Sequence, residues 1–184
     1  MPATEKEIAL ITIDQLKKII PFAGPRASVF LAPLNDAMTE FGIDTPTRQA
    51  AFLAQVAHES GSLRYVREIA DGSAYEDRAD LGNTESGDGP RFKGRGLIQI
   101  TGRANYRTCS KALYGDDETL LLHPELLEDL VPACRSAGWF WWANGLNSIA
   151  DGGDFRRITR EINGGFNGYD ERLAYYQRAQ TVLA

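Results

Sequence analysis

Cysteine and histidine are scarce in this chain, whose 184 residues include only two of each. Two cysteines, Cys109 and Cys134, do not make the disulfide framework of a small secreted domain. We therefore expect both to be free thiols in a protein that is made in a reducing compartment. His58 opens a His-Glu pair like that of zinc proteases, but Ser62 stands where the second histidine would be needed. The sequence therefore predicts no metal site and no cofactor.

Long apolar runs and excess positive charge are missing as well. The longest apolar run, Ala137 to Ala143, is far shorter than the roughly 20 residues of a membrane-spanning helix. The stretch from Ile8 to Ile13 is too short for the hydrophobic part of a signal peptide. Lysine and arginine number 20 against 25 aspartates and glutamates, a net charge of −5, which argues against a nucleic-acid partner. We expect a protein without membrane insertion, made in the cytoplasm.

Most of the chain shows the apolar spacing of helices. Caps and stops predict helices from residue 12 to Pro21, over 26–41, from Pro46 to Gly61, and over 104–114, 124–130, 132–143, 154–162 and 170–183. Pro33 predicts a kink or a late start in the second helix. The glycine-rich segment 62–104 interrupts the pattern, and residues 97–101 within it predict a short strand. No repeat or linker divides the chain, so we predict one domain over residues 1–184.

Two glutamates are the leading candidates for chemistry. Glu59 shares a helix face with Phe52 and Val56, because the three are spaced i, i+4 and i+7. A carboxyl that ends an apolar stripe is partly desolvated, which favours the neutral form that a general acid needs. Glu68 lies among arginines, which favour its ionised form. Such a pair suits an inverting glycosidase. From spacing alone, a frayed helix end and a surface ion pair remain alternatives.

Polar residues of the predicted strand form a second candidate group. Gln99 and Thr101 would project from one face, with Ile98 and Ile100 on the other. Glycines beside such a strand suit the close approach of an extended ligand, and a plain hairpin is the alternative. Further along, Asn163 before two glycines reads first as a helix end, although its side chain could also hold a substrate amide.

Taken together, the motifs resemble those of glycoside hydrolase family 19. Four segments carry the resemblance, and they occur in the same order in that family. They are His58-Glu59-Ser60-Gly61, residues 94–106, residues 137–141 and Ile162-Asn163-Gly164-Gly165. The resemblance extends from about residue 11 to the C-terminus and is strongest toward chitinase-like lysins of bacteriophages and prophages. It implies a mainly α, lysozyme-like fold of two lobes, with a cleft between them and a short β-hairpin region beside it.

The resemblance also implies residue roles. Glu59 matches the general acid, Glu68 the base that activates water, and Thr101 the residue that positions this water. The residues implied to bind N-acetyl sugars are His58, Gln99, Asn105, Tyr106, Asn163 and Arg172. Plant chitinases carry a glutamate two residues after Gly165, where this chain has Asn167, so the charges at the cleft floor differ.

The function implied is that of an endolysin. It would hydrolyse the β-1,4 bonds between N-acetylmuramic acid and N-acetylglucosamine in peptidoglycan by inversion, and so lyse the host cell. We expect a monomer without a separate wall-binding module, held in the host cytoplasm until a holin opens the membrane. Three alternatives remain at this point, namely a chitinase acting on chitin oligomers, a lytic transglycosylase, and a non-catalytic glycan-binding virion protein.

Overall fold

The computed structural model describes residues 10–184, so the first two residues of the apolar stretch that begins at Ile8 lie outside it. Its ten α-helices are α1 (Ile13–Ile19), α2 (Arg26–Glu40), α3 (Pro46–Glu59), α4 (Asp88–Arg91), α5 (Arg103–Tyr114), α6 (Thr119–Leu122), α7 (Leu130–Ala143), α8 (Leu146–Asp151), α9 (Phe155–Asn163) and α10 (Tyr169–Leu183). Short 3₁₀ helices cover Pro21–Ala23, Ser73–Tyr75, Ala79–Leu81 and Pro124–Glu128. None of the helices in residues 10–184 is long and apolar enough to cross a bilayer.

Helix boundaries follow the capping residues. Thr12 and Gln15 form a capping box at the start of α1. Thr45 caps α3 by accepting a hydrogen bond from the amide of Arg48. The prediction of a late start at Pro33 is wrong, because α2 already begins at Arg26. The apolar face of α2 is buried both before and after Pro33. This burial offsets the backbone hydrogen bond that is lost because proline has no N–H group.

Helix α3 runs through the centre of the molecule. Every residue from Gln49 to Ala57 is buried, the pattern of a helix that is surrounded by protein. It packs mainly against α10, while α8 and α9 cover its other sides. Phe52 meets the edge of buried Trp141 at a ring-centroid distance of 5.5 Å. The core thus holds α3 rigidly, and Glu59 is its last residue.

The prediction of a strand at residues 97–101 is wrong. Residues 10–184 contain only two isolated β-bridges, both of which involve Arg95. The chain turns too tightly for a strand, because Gly96 and Gln99 both have positive φ, at 78° and 59°. The predicted hairpin is therefore reduced to a tight turn, although the prediction of a mainly helical protein is confirmed.

Both cysteines are buried free thiols, which confirms the prediction. Cys109 lies in α5 and Cys134 in the neighbouring α7. Burial raises the pKa of the Cys109 thiol to about 12 and also raises the pKa of Cys134. Both side chains remain protonated at neutral pH and act as small apolar groups in the core.

Candidate active site

A left-handed turn separates the two candidate glutamates. Gly61, Ser62 and Leu63 follow one another with φ of 55°, 63° and 63°. The Ser60 hydroxyl supports the turn by accepting a hydrogen bond from the amide of Leu63 at 2.8 Å. A non-glycine residue in this conformation costs of order 1–3 kcal/mol and needs such support. The turn ends α3 just after Glu59, so the following residues leave the helix axis.

Glu59 is paired with a buried cation. Its Oε1 atom lies 2.6 Å from Nη2 of Arg172 in α10. The Glu59 side chain is 19% exposed, whereas that of Arg172 is 1% exposed. The guanidinium thus contacts the carboxyl from the buried side of the site. Sequence reasoning anticipated the burial and missed this ion pair.

The other two guanidinium nitrogens of Arg172 are also hydrogen-bonded. Its Nη1 atom donates to Oε1 of Gln55 at 2.5 Å, and its Nε atom donates to the carbonyl of Asn167 at 3.1 Å. Gln55 in turn donates to the hydroxyl of Thr159 at 2.9 Å. Gln55 and Thr159 are fully buried. The network joins α3, α9 and α10 around one guanidinium and thereby positions the Glu59 carboxylate.

His58 contacts the protein and not only the solvent. Its Nδ1 atom lies 2.6 Å from Oε2 of Glu171, at the start of α10. The imidazole also lies against Gly168, where any Cβ would collide with the ring. The side chain is 21% exposed. His58 therefore helps to dock α10 next to Glu59, and its contact with sugar stays a prediction.

Glu68 is held by hydrogen bonds and not by the arginines beside it. Its Oε1 atom accepts from the hydroxyl of Tyr75 at 3.0 Å, and its Oε2 atom accepts from the amide of Gly94 at 3.1 Å. Arg67 turns instead toward Glu128, at 3.6 Å. Burial and the hydrogen bond to Glu68 raise the pKa of Tyr75, so its hydroxyl keeps its proton and remains a donor. A carboxylate still has acceptor sites left for a water molecule.

Gln99, Thr101 and Asn105 form one chain of contacts next to Glu68. The hydroxyl of Thr101 donates to the carbonyl of Gln99 at 2.9 Å, and the amide of Asn105 donates to the carbonyl of Thr101 at 2.8 Å. A Cβ at Gly94 would lie 2.8 Å from Gln99 Oε1 and 3.2 Å from Glu68 Oε2. The absence of a side chain at Gly94 thus leaves room for these two polar groups, whereas the predicted close approach of an extended ligand stays a prediction.

Two residues predicted to bind sugar lie behind the surface. Tyr106 is fully buried, and its hydroxyl donates to the carbonyl of Lys93 at 2.6 Å while accepting from Arg95 at 3.0 Å. Arg172 is 1% exposed, and each of its three guanidinium nitrogens contacts a protein oxygen. The burial of Tyr106 and Arg172 corrects the prediction that their side chains contact sugar. Tyr106 supports the segment that carries Gly94, and Arg172 supports Glu59.

Asn163 is the last residue of α9, and it is exposed. Gly164 follows as the C-cap with φ of 70°, which confirms the predicted helix end. Asn163 lies one turn after Thr159 on the same helix. Its role in holding a substrate amide stays a prediction.

Two supporting residues were missed at the sequence level. Gln55 precedes Glu59 by one helical turn, and this spacing was a usable signal. Tyr75 lies in an irregular segment without periodicity, and no sequence signal connected it to Glu68. Within residues 10–184, no three His, Cys, Asp or Glu side chains are grouped closely enough to hold a metal ion. The groups that the described residues bring to the site are carboxyls, the guanidinium of Arg172, the imidazole of His58, amides and hydroxyls.

This arrangement separates two carboxyls by environment. Glu59 faces a buried cation, and Glu68 accepts hydrogen bonds on both oxygens. Different environments for two carboxyls are what a glycosidase needs to divide acid and base roles between them. The fold and the site are therefore those expected of a glycoside hydrolase.

Comparison with known proteins gives its family. A glycosyl hydrolase family 19 domain-containing protein of Haemophilus influenzae is 33% identical over 161 residues, which cover 71% of this chain and 77% of that protein. The Arabidopsis thaliana protein endochitinase CHI is 36% identical over 160 residues, which cover 80% of this chain and 56% of the endochitinase. No family model matches the chain. The chain belongs to glycosyl hydrolase family 19.

Solved structures agree with this assignment. Chitinase C from Streptomyces griseus HUT6037 superposes with a TM-score of 0.75 at 25% identity, covering 94% of this chain and 92% of that one. The chain therefore has the mainly helical, lysozyme-like fold that the resemblance implied. It is a chitinase-like glycosidase that hydrolyses glycans.

Proposed function

We propose that the protein is an endolysin that hydrolyses the β-1,4 bonds between N-acetylmuramic acid and N-acetylglucosamine in peptidoglycan. The observation that carries this proposal is the pair of glutamates in different environments. Similarity to a bacterial relative supports a bacterial glycan as substrate. Position 167 holds Asn and contributes only its backbone carbonyl to Arg172, so the cleft floor lacks the glutamate of plant chitinases.

In the proposed mechanism, Glu59 donates its proton to the glycosidic oxygen as the bond to the sugar carbon breaks. Arg172 then stabilises the carboxylate that remains. Glu68 takes a proton from a water molecule whose oxygen forms the new bond to the same carbon. The Thr101 hydroxyl already donates to a carbonyl, so its oxygen is left to accept a hydrogen bond from this water. One bond forms, one breaks, and no covalent intermediate is needed.

The proposal extends to the cellular setting. The enzyme is stored as a monomer in the host cytoplasm and reaches the wall after a holin opens the membrane. Its two thiols are buried and free, which suits storage in a reducing compartment.

Chitin is the second candidate substrate. Several relatives are named endochitinases, and the similar solved structures are titled as chitinases. The two polymers share β-1,4-linked N-acetyl sugars, and they differ in the lactyl group and peptide that peptidoglycan carries on alternate sugars. Product analysis on both substrates therefore separates the candidates.

We expect purified peptidoglycan to be cleaved to fragments that end in reducing N-acetylmuramic acid, as read by mass spectrometry. The reason is that a base-activated water adds to the sugar carbon. Fragments ending in 1,6-anhydro sugar would instead indicate a lytic transglycosylase. In such an enzyme one glutamate serves in turn as acid and as base for the C6 hydroxyl, so Glu68→Gln would then retain activity. Cleavage of chitin oligomers with intact peptidoglycan would make the protein a chitinase.

We also expect inversion at the reacting carbon. Glu68 activates water on the face opposite to the leaving group, so a β-linked substrate gives the α-anomer first. Early-time NMR of a soluble muropeptide or chito-oligosaccharide digest records the first anomer. An initial β-anomer would contradict the roles proposed for the two glutamates, because it is the product of a retaining enzyme.

A further inference from the structure

A surface depression of about 400 Å³ lies directly beside Glu68. Residues 64–69 form one wall, and Lys93 and Glu128 complete the lining. Glu68 itself is part of this lining, so a molecule in the depression would lie beside the residue that is proposed to activate water. The depression is therefore continuous with the candidate active site.

The charge of this depression is opposite to that of the whole protein. The chain carries a net charge of −5, yet Arg64, Arg67 and Lys93 line the depression against Glu68 and Glu128. The Glu128 carboxylate is also bound from below by Nε of Arg95 at 2.8 Å, and Arg95 is buried. The local balance is four cations against two carboxylates. A positively charged depression on an acidic protein favours an anionic ligand.

Two of the cations are available to a ligand. Arg64 is exposed and forms no salt bridge within the part of the chain that the structure describes. Among residues 10–184, the one salt-bridge partner of the Arg67 side chain is Glu128 at 3.6 Å, and this side chain is 59% exposed. Lys93 is fixed by donating to the carbonyl of Ala70 at 2.8 Å. An Arg guanidinium binds a carboxylate through two parallel hydrogen bonds, so the first two residues suit carboxylates.

Large apolar side chains lie beside these cations. Ile69 is 82% exposed and Tyr65 is 39% exposed. A ligand that offers both carboxylates and methyl groups would satisfy both kinds of surface. Chitin offers the methyl groups of its acetamido substituents, but it has no carboxylate and no side branch that could reach away from the sugar chain. The peptide stem of peptidoglycan offers both, because it contains alanine methyls and several free carboxylates and is attached through a lactyl group.

We propose that this depression binds the peptide stem carried by the muramic acid next to the cleaved bond. Arg64 and Arg67 bind its carboxylates, and Ile69 contacts its methyl groups. The inference rests on the proposed function, since it requires peptidoglycan as substrate. It makes these residues specificity determinants that recognise the branch of the polymer, apart from the glutamates that act on its backbone.

The test compares three substrates. They are glycan strands with stem peptides, the same strands stripped of peptides by an amidase, and a chito-oligosaccharide. The wild type is expected to cleave stem-bearing strands with a higher kcat/KM than stripped strands. Each of Arg64→Gln and Arg67→Gln should reduce this preference about threefold to fivefold, the size of an exposed ion pair. Added salt should weaken the preference, because these charges are exposed to solvent.

A matched control is Lys17→Gln, which removes one exposed positive charge from α1 and should retain the wild-type preference. Equal cleavage of stem-bearing and stripped strands by the wild type would overturn the inference and leave the proposed function standing. A double arginine variant that keeps the full preference would likewise overturn the inference alone. Cleavage of the chito-oligosaccharide alone would overturn both.

Discussion

Replacing Glu59 with Gln is expected to abolish glycan hydrolysis while the protein stays folded. The amide has the size of the carboxyl but supplies no proton to the leaving oxygen. Loss of general acid catalysis alone costs about 10²–10⁴ in rate, and we expect at least the upper end of this range. The measurement is the release of reducing ends from peptidoglycan, with circular dichroism to confirm the helical fold.

The matched control for this variant is Glu118→Gln. Glu118 is exposed, and its substitution removes one carboxylate in the same chemical way without touching the site. This control should hydrolyse glycan at the wild-type rate. A Glu59→Gln protein that retains more than about a tenth of wild-type activity would refute the acid role, since that loss is smaller than acid catalysis explains.

Replacing Arg172 with Met should damage both stability and activity. The variant leaves the Gln55 amide oxygen and the Asn167 carbonyl without their donor and leaves Glu59 without its cation. Removing one partner of a buried pair costs about 3–5 kcal/mol, and we expect about 3 kcal/mol because Glu59 is partly exposed. For a chain of this size that loss lowers Tm by about 6–12 °C. Activity should fall about 100-fold.

Two comparisons make the Arg172 result specific. Arg160→Met removes an exposed arginine from α9 and should change stability by less than about 0.5 kcal/mol. Combining Arg172→Met with Glu59→Gln should destabilise the protein by less than the sum of the two changes, because the two residues share one interaction. Wild-type Tm and rate in Arg172→Met, or full additivity of the double variant, would show that the ion pair does not position Glu59.

The helices could be predicted because their signals are local. Thr45 with Pro46 marks the start of α3, and Asn163 with its following glycines marks the end of α9. The candidate glutamates could be predicted for a related reason, since Glu59 ends a helical apolar stripe that lies within one segment of chain.

The supporting contacts could not be predicted, because they join distant segments. Arg172 meets Gln55 across 117 positions of sequence, and no periodicity encodes that approach. The strand prediction for residues 97–101 failed for the opposite reason, because its signal was local. Their alternation of burial is real, with Ile98 and Ile100 buried and Gln99 and Thr101 partly exposed. In the structure this alternation of burial occurs in a turn, because Gln99 has a left-handed backbone conformation. The spacing of apolar residues alone does not distinguish such a turn from a strand.

The left-handed turn after α3 limits which mutations can change the positions of the two glutamates during evolution. Eight residues, 60–67, connect the two glutamates, and the backbone of this connection fixes where each carboxyl is presented. Point substitutions at Glu59 or Glu68 alter the chemistry of one group without relocating the other. The inverting course that we propose is thus insulated from single mutations at these two positions. Retention needs carboxyls only ~5–5.5 Å apart, so it would involve moving one of the two anchored carboxyls.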